Sequence, residues 1–404
     1  MLSTETAIPV TILSGSLGAG KTTTLNHVLT TEQELNAAVL VNDMGEINVD
    51  AELVEQESEL SGDGEIIEMS NGCICCRLRG DMLDEVGRLA DERDFDYLVV
   101  ESSGISEPIP VAQTFARGFE DAEFDPTGVY DLDTMVTVLD AHSFWQGFES
   151  GQALTDDAVE PQDNRVPEEA LMDQIEFCDV LLLNKCDLVP DEELDEIEAV
   201  LRTLQPRAKI IRTEHGRVDP AEILGTGRFD FDQASQSAGW KHELQEGHHH
   251  EAAAAEHGVG SFVFKADRPF HPERIAALLA DLPDEIIRAK GFFWSAGRED
   301  VAMGVDKAGQ SVRAGPKGTW IATLPKVEQE RYFAARPGIK DDWDDQWGDR
   351  GIQLVFIGRG HDEDALVDRL DDCLLSDEEM DADWEGYPDP FGPDDQRELA
   401  LADD

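Results

Sequence analysis

Three cysteines fall within four residues at Cys73-Ile74-Cys75-Cys76, just behind the turn-forming pair Asn71-Gly72. Thiolate is a soft ligand suited to zinc, copper(I) or iron–sulfur centres. Three thiolates on one short loop can face a single ion without help from tertiary structure. A closed structural zinc site takes four protein ligands, usually as two separated pairs, and no second pair exists. Cys178, Cys186 and Cys373 stand singly in apolar surroundings, in the manner of small buried hydrophobes. The loop therefore offers an incomplete shell whose fourth position falls to a mobile side chain, water or a partner's ligand. Two other uses stay open: a redox pair, because low-pKa thiols react with oxidants, and plain structural cysteine. An iron–sulfur cluster would want a fourth cysteine nearby, and there is none.

Upstream, Gly15-Ser16-Leu17-Gly18-Ala19-Gly20-Lys21-Thr22 fits the phosphate-loop pattern G-x-x-x-x-G-K-[ST] between an apolar run and a helix-like stretch. Backbone N–H groups at Gly15, Gly18, Ala19 and Gly20 would cradle phosphates, and the helix N-terminus at Lys21, Thr22 and Thr23 adds a favourable dipole. Lys21 would neutralise the β- and γ-phosphates and Thr22 would ligate Mg²⁺. Asn184-Lys185-Cys186-Asp187 follows an apolar run and has the Asn-Lys-x-Asp form of a guanine reader, with the Asp187 carboxylate accepting from the ring N–H and exocyclic amine. Paired with the phosphate loop, it favours GTP over ATP. Glu101-Ser102-Ser103-Gly104 ends another run: Glu101 can hold Mg²⁺ through water and Gly104 can approach a γ-phosphate. The plainer alternative there is a strand-ending turn. Asn42, Asp43 and Glu46 lie where a nucleotide-sensing switch would be, and either carboxylate has the reach for Mg²⁺ or for the thiolate-bound metal.

These residues need a scaffold, and the apolar pattern supplies one. Runs at 8–13, 37–41, 66–69, 97–100, 135–139, 180–183 and 210–211 alternate with amphipathic stretches such as 82–90 and 194–204. Strands alternating with helices predict an α/β fold with a mainly parallel sheet, here over residues 8–215. Residues 216–260 are polar, acidic and histidine-rich, with His242, His248, His249, His250 and His257, and have the composition of a mobile linker. That histidine set is either a metal-gathering tract or a solvated low-complexity segment. A smaller α+β domain over 261–375 follows, with runs at 261–265, 286–287, 292–294, 320–324 and 353–357 and helices over 272–282 and 364–375. An acidic tail over 376–404 is expected to be extended or disordered.

Composition limits the partners. The 404 residues carry 88 acidic and 32 basic side chains, a formal charge of −56, which argues against a nucleic-acid or anionic-membrane surface. Acidity spread through both domains matches adaptation to high salt, where counterions screen self-repulsion. No apolar run reaches the roughly 20 residues that span a bilayer, and residues 1–7 lack the features of a signal peptide. Cytoplasmic residence, with thiols kept reduced, is the expectation.

The chain resembles the CobW-type metallochaperone GTPases, most closely the zinc-responsive YciC-like branch. The resemblance rests on 14–26, 41–51 (VNDMGEINVDA), 68–79 (EMSNGCICCRLR), 101–114 (ESSGISEPIPVAQT) and 173–188 (DQIEFCDVLLLNKCDL), with later matches at 261–272, 288–294 and 354–358. It implies a P-loop GTPase domain followed by a smaller C-terminal domain, with slow GTP hydrolysis coupled to delivery of a divalent metal, most often zinc, to an apo-metalloprotein client. It also implies Cys73, Cys75 and Cys76 as transferable metal ligands, Lys21 and Thr22 as phosphate and Mg²⁺ contacts, and Asn184 with Asp187 as base contacts. Arg212-Thr213-Glu214-His215-Gly216 occupies the region of a further base-contacting loop without being a standard Ser-Ala-Lys. No residue matches a catalytic Gln or an arginine finger, so no general base is assigned. Zinc buffering without a client, and delivery of cobalt, nickel or iron, remain the alternatives.

Overall fold

The computed structural model describes residues 7–32, 35–41, 66–68, 83, 86–90, 95–102, 104, 108–118, 124–149, 167–246, 257–340, 343–384, 386–392 and 397–398. The chain divides into two compact units, Met1–Gly147 with Gln152–Gly239, and Phe148–Gly151 with Trp240–Asp404.

All seven apolar runs of the first unit become strands: β1 Ile8–Gly15, β2 Ala37–Val41, β3 Ile66–Glu68, β4 Tyr97–Glu101, β5 Tyr130–Asp140, β6 Val180–Asn184 and β7 Lys209–Arg212. They form one sheet in the order β3-β2-β4-β1-β5-β6-β7, and every pairing is parallel. Buried on both faces, such strands show continuous apolar runs rather than alternation, as in the wholly buried VLLLN of β6. Parallel pairing also sends every strand's carboxyl end to one edge. Register places Leu13, Val41, Glu68 and Glu101 level there, with Asp140 beside Asn184 further along.

The linker expected over 216–260 is corrected over residues 216–246. This stretch forms the turn Pro220–Glu222 and the helices Phe231–Ala234 and Gly239–Glu246, and it buries Val218, Ile223, Ala234 and Ala238. Its anchor is Asp133 on β5, which accepts from Thr226 N at 2.9 Å and Gly227 N at 2.7 Å. Tyr97 donates to the same carboxylate at 2.9 Å and accepts from Gly225 N at 2.9 Å. Single apolar residues scattered among charges carried too weak a periodicity to announce this packing. His248, His249 and His250 lie outside the described residues.

The second unit is built on a six-stranded antiparallel sheet of β8 Val259–Ala266, β9 Ile286–Phe293, β10 Val301–Ala308, β11 Ser311–Thr319, β12 Ile352–Arg359 and β13 Arg397–Glu398, in the order β13-β11-β10-β9-β12-β8. The helices Pro272–Ala280 and Glu363–Cys373 pack their apolar faces, including Ile275, Leu279, Leu366 and Leu370, into its core. The β10–β11 hairpin escaped the sequence pattern because Gly304, Gly315, Pro316 and Gly318 dilute its apolar alternation. The run at 320–324 is a short 3₁₀ turn, Ile321–Thr323, rather than a strand.

The tail is corrected as well. Residues 376–384 and 386–392 are folded: Ser376 and Glu379 form a reciprocal capping box on the helix Asp377–Met380, Arg274 pairs with Glu379 at 2.6 Å, and Phe391 is 1% exposed against Phe293. Trp384 stacks on Trp347 with centroids 5.9 Å apart and meets Trp294 edge-on at 5.9 Å. An acidic composition hid two aromatic anchors. No helix among the described residues is long and apolar enough to cross a membrane. Replacing Trp384 with Ala is expected to cost about 3–5 kcal/mol, measured by urea unfolding of the full chain; a loss within about 0.5 kcal/mol, the range of surface changes, would return 376–392 to the status of a disposable tail.

Candidate functional site

Asn184 closes β6 at 2% exposure, and the site is assembled around it. Its Nδ2 donates to Ala19 O in the phosphate loop at 2.9 Å. Its Oδ1 accepts from Thr213 Oγ1 at 3.1 Å and from Gly216 N at 3.0 Å. A carboxamide has two donor hydrogens and two acceptor positions, so one N–H remains after it has tied the phosphate loop to the 213–216 loop. The neighbouring Gly20 is at φ 105°, and a Cβ there would lie 2.4 Å from Asn184 Nδ2, so only glycine admits the tie.

Behind Gly20 the helix Lys21–Thr31 begins. Lys21 is 7% exposed, and its Nζ donates to Gly15 O at 3.0 Å and Ser16 O at 3.3 Å, which holds the ammonium inside the curve of the loop. Thr22 Oγ1 donates to Glu101 Oε1 at 3.2 Å, and Glu101 is 2% exposed at the end of β4. The hydroxyl and the carboxylate expected to share Mg²⁺ are thus brought together; Thr23 is exposed beside them. Gly104 packs on the loop from the other side, where a Cβ would stand 2.8 Å from Leu17 N. Its carbonyl accepts from Gln174 Nε2 at 3.3 Å, a contact that no sequence motif announced.

The base-reading candidates are arranged on the far side of Asn184. Lys185 sits in the left-handed region at φ 62°, and its Nζ donates to Asp140 Oδ2 at 2.8 Å. Burial by itself would raise the Asp140 carboxyl, but hydrogen bonds from Lys185 and Ser143, the Lys185 charge and the His142 N–H together bring it below its ordinary value of 3.8. Asp140 belongs to no motif; its position at the end of β5, level with Asn184, would have been the only signal. Asp187 lies exposed in the 3₁₀ turn Cys186–Leu188, 3.8 Å from His215 Nε2. Cys186, expected to be a small buried hydrophobe, is half-buried and donates from Sγ to Leu183 O at 3.0 Å; Cys178 and Cys373 are buried as expected.

Cys73, Cys75 and Cys76, with Asp43 and Glu46, lie outside the described residues. Among the described residues no group of three or more His, Cys, Asp or Glu side chains is placed to hold a metal ion.

The profile of the CobW/HypB/UreG nucleotide-binding domain matches residues 9–212, and that of the cobalamin synthesis protein cobW C-terminal domain matches 259–374. The chain is 40% identical to zinc-regulated GTPase metalloprotein activator 1 of Dictyostelium discoideum, over 92% of this chain and 81% of that protein. It is 29% identical to a zinc chaperone of Mycobacterium tuberculosis, over 83% of this chain and 81% of that protein. Among solved structures it is similar to the Zn(II)-bound YjiA GTPase from E. coli, at 22% identity and a TM-score of 0.41, over 92% of this chain and all of that one.

Asn184→Ala removes three buried hydrogen bonds and is expected to cost about 1–3 kcal/mol of site integrity, seen as roughly 10–100-fold weaker GDP binding in a fluorescent-GDP titration. Asp140→Asn separates the Lys185 tie by pH. A depressed carboxyl contributes stability fully above its unfolded value and loses it as pH falls through the lower folded one. The stability gap between wild type and Asp140→Asn should therefore hold above the ordinary value of 3.8 and close below it, as followed by unfolding across pH.

Proposed function

Because the chain belongs to the CobW/HypB/UreG family of P-loop GTPases, we propose that it is a GTP-hydrolysing metallochaperone whose cargo is a divalent metal, zinc first among them, held at Cys73, Cys75 and Cys76 and passed to apo-metalloprotein clients. The observation that carries this reading is the contact of Thr22 with Glu101 at 3.2 Å at the carboxyl edge of the parallel sheet. The segment that contains the thiols leaves β3 at Glu68 on that same edge and runs on in sequence toward Glu101.

In this reading Gly15, Gly18, Ala19 and Gly20 present backbone N–H groups to the phosphates, Lys21 moves from its two carbonyls onto the β- and γ-phosphates, and Thr22 with Glu101 holds Mg²⁺. Gly104 lies against the γ-phosphate, and Asp187 reads the base. Asp43, Glu46 and Glu101 flank the thiol segment in the chain, so loss of the γ-phosphate loosens the elements on both sides of it. This is a switch of the order–disorder kind. Mg²⁺ would supply charge neutralisation at the phosphates when bound; the chain's own part is to position the phosphates and the groups around them. Thiolate and imidazole suit zinc, while nickel and cobalt compete for the same donors, and the relatives named for zinc support the first.

Zinc titration against a competing chromophore, with GDP, a non-hydrolysable GTP analogue or no nucleotide, tests the coupling. Cys73→Ser, Cys75→Ser and Cys76→Ser should each weaken the analogue-bound form by at least the roughly 10–100-fold that losing an outer-shell partner costs. Equal affinity in all three nucleotide states would sink the coupling. The same charge argument predicts a chain built for concentrated salt in the cytoplasm. Its unfolding midpoint should rise as KCl goes from about 0.1 M to about 1 M, over which the Debye length falls from ~10 Å to ~3 Å, and a flat profile would remove the halophile reading.

A further inference from the structure

Residues 213–216 form a short loop whose backbone donors can be counted. Thr213 N donates to Leu183 O at 2.8 Å, Gly216 N donates to Asn184 Oδ1 at 3.0 Å, and Arg217 N donates to Glu214 O at 3.1 Å. The N–H groups of Glu214 and His215 take no hydrogen bond among the described residues. His215 stands at φ 54°, one of two non-glycine residues with positive φ there; the other is Lys185. Residues of this kind cluster at ligand sites, where the surroundings hold them in place. Here the Gly216–Asn184 bond does so on one side and the Thr213–Leu183 bond on the other.

The imidazole of His215 is 71% exposed, and its Nε2 lies 3.8 Å from Asp187 Oδ2, within ion-pair range but longer than a hydrogen bond. Among the described residues this is the ion-pair neighbour that Asp187 has. A facing carboxylate favours the tautomer with the proton on Nε2. Guanine offers N1–H and a 2-amino group as donors, with the acceptor O6 beside N1, whereas adenine puts an amine at that last position. Once the Asp187 carboxylate accepts from N1–H and the 2-amino group, an Nε2–H held next to it has O6 as its adjacent acceptor.

We propose that His215 is a specificity-determining residue of the base pocket, donating from Nε2–H to the O6 of guanine while Asp187 accepts from N1–H and the 2-amino group. The proposal rests on the reading of Asn184-Lys185-Cys186-Asp187 as the base-reading segment. It assigns the side chain, rather than only the backbone, of the non-standard Arg212-Thr213-Glu214-His215-Gly216 loop to discrimination. An adenine nucleotide would set its 6-amino donor against this imidazole donor, so the pair His215 and Asp187 rejects adenine at two positions.

The test compares GDP with 6-thio-GDP, which keeps N1–H and the 2-amino group but replaces O6 by a poor acceptor, in competition with a fluorescent GDP on the full chain. His215→Ala alters an exposed side chain and leaves the fold intact. Wild type should favour GDP about tenfold, the worth of one good hydrogen bond. In His215→Ala the loss should fall on GDP, with 6-thio-GDP affinity unchanged and the preference gone. Unchanged GDP binding in the variant, or an equal fall for both nucleotides, overturns the proposal. Asp187→Asn separates the underlying reading: it should turn preference toward xanthosine diphosphate, and a variant that still selects GDP overturns the pocket assignment and the role of His215 with it.

Discussion

At the carboxyl end of β6 a single carboxamide, 2% exposed, hydrogen-bonds Ala19 in the phosphate loop and Thr213 and Gly216 in the 213–216 loop. Asn184 thereby joins segments that lie 165 and 29 residues away along the chain. The tie is strict because each bond is buried, where a lost partner leaves the remaining donor or acceptor unsatisfied. Its geometry also dictates residue type around it. Gly20 has no side chain because one would collide with Asn184, and Lys185 is turned into the left-handed region and toward Asp140. Phosphate and base candidates are therefore set by one shared residue rather than by independent loops.

That arrangement works because the sheet is parallel throughout. Every strand delivers its carboxyl end to one edge, the usual location for ligands in open α/β sheets. Glycine at 15, glutamate at 101, aspartate at 140 and asparagine at 184 are chemically unrelated, yet they become neighbours through strand order alone. The GTPase activity of the family depends on positioning and electrostatics more than on covalent chemistry, so a scaffold that fixes many short loops at once suits it.

Charge shapes the rest of the molecule. The chain carries 88 acidic and 32 basic residues, and two of its polar segments are held to the cores by a few anchors. Asp133 and Tyr97 gather the backbone of 225–227 onto the first unit, while Trp384 and Phe391 bring 376–392 onto the second. In both places an acidic composition that looks solvent-bound hides a few side chains with large apolar area or many hydrogen bonds.

The sequence by itself determined the seven strands of the first unit, the parallel α/β class, the phosphate loop and the family. Those features are local: a continuous apolar run, a glycine spacing or a tetrapeptide is complete within a few residues. The tertiary structure decided the partners of Asn184 and Lys185, the contacts of Asp140 with Lys185 and of Gln174 with Gly104, the hairpin of β10 and β11, and the folded state of 216–246, 376–384 and 386–392. None of these has a local signature, because each depends on which residue a distant strand end or a single buried anchor brings within about 3 Å, the reach of a hydrogen bond. The thiol cluster stands on the sequence side of this division: its chemistry is legible from four residues, while Glu68 and Glu101, which bracket it in the chain, come level at the carboxyl edge only through the register of the sheet.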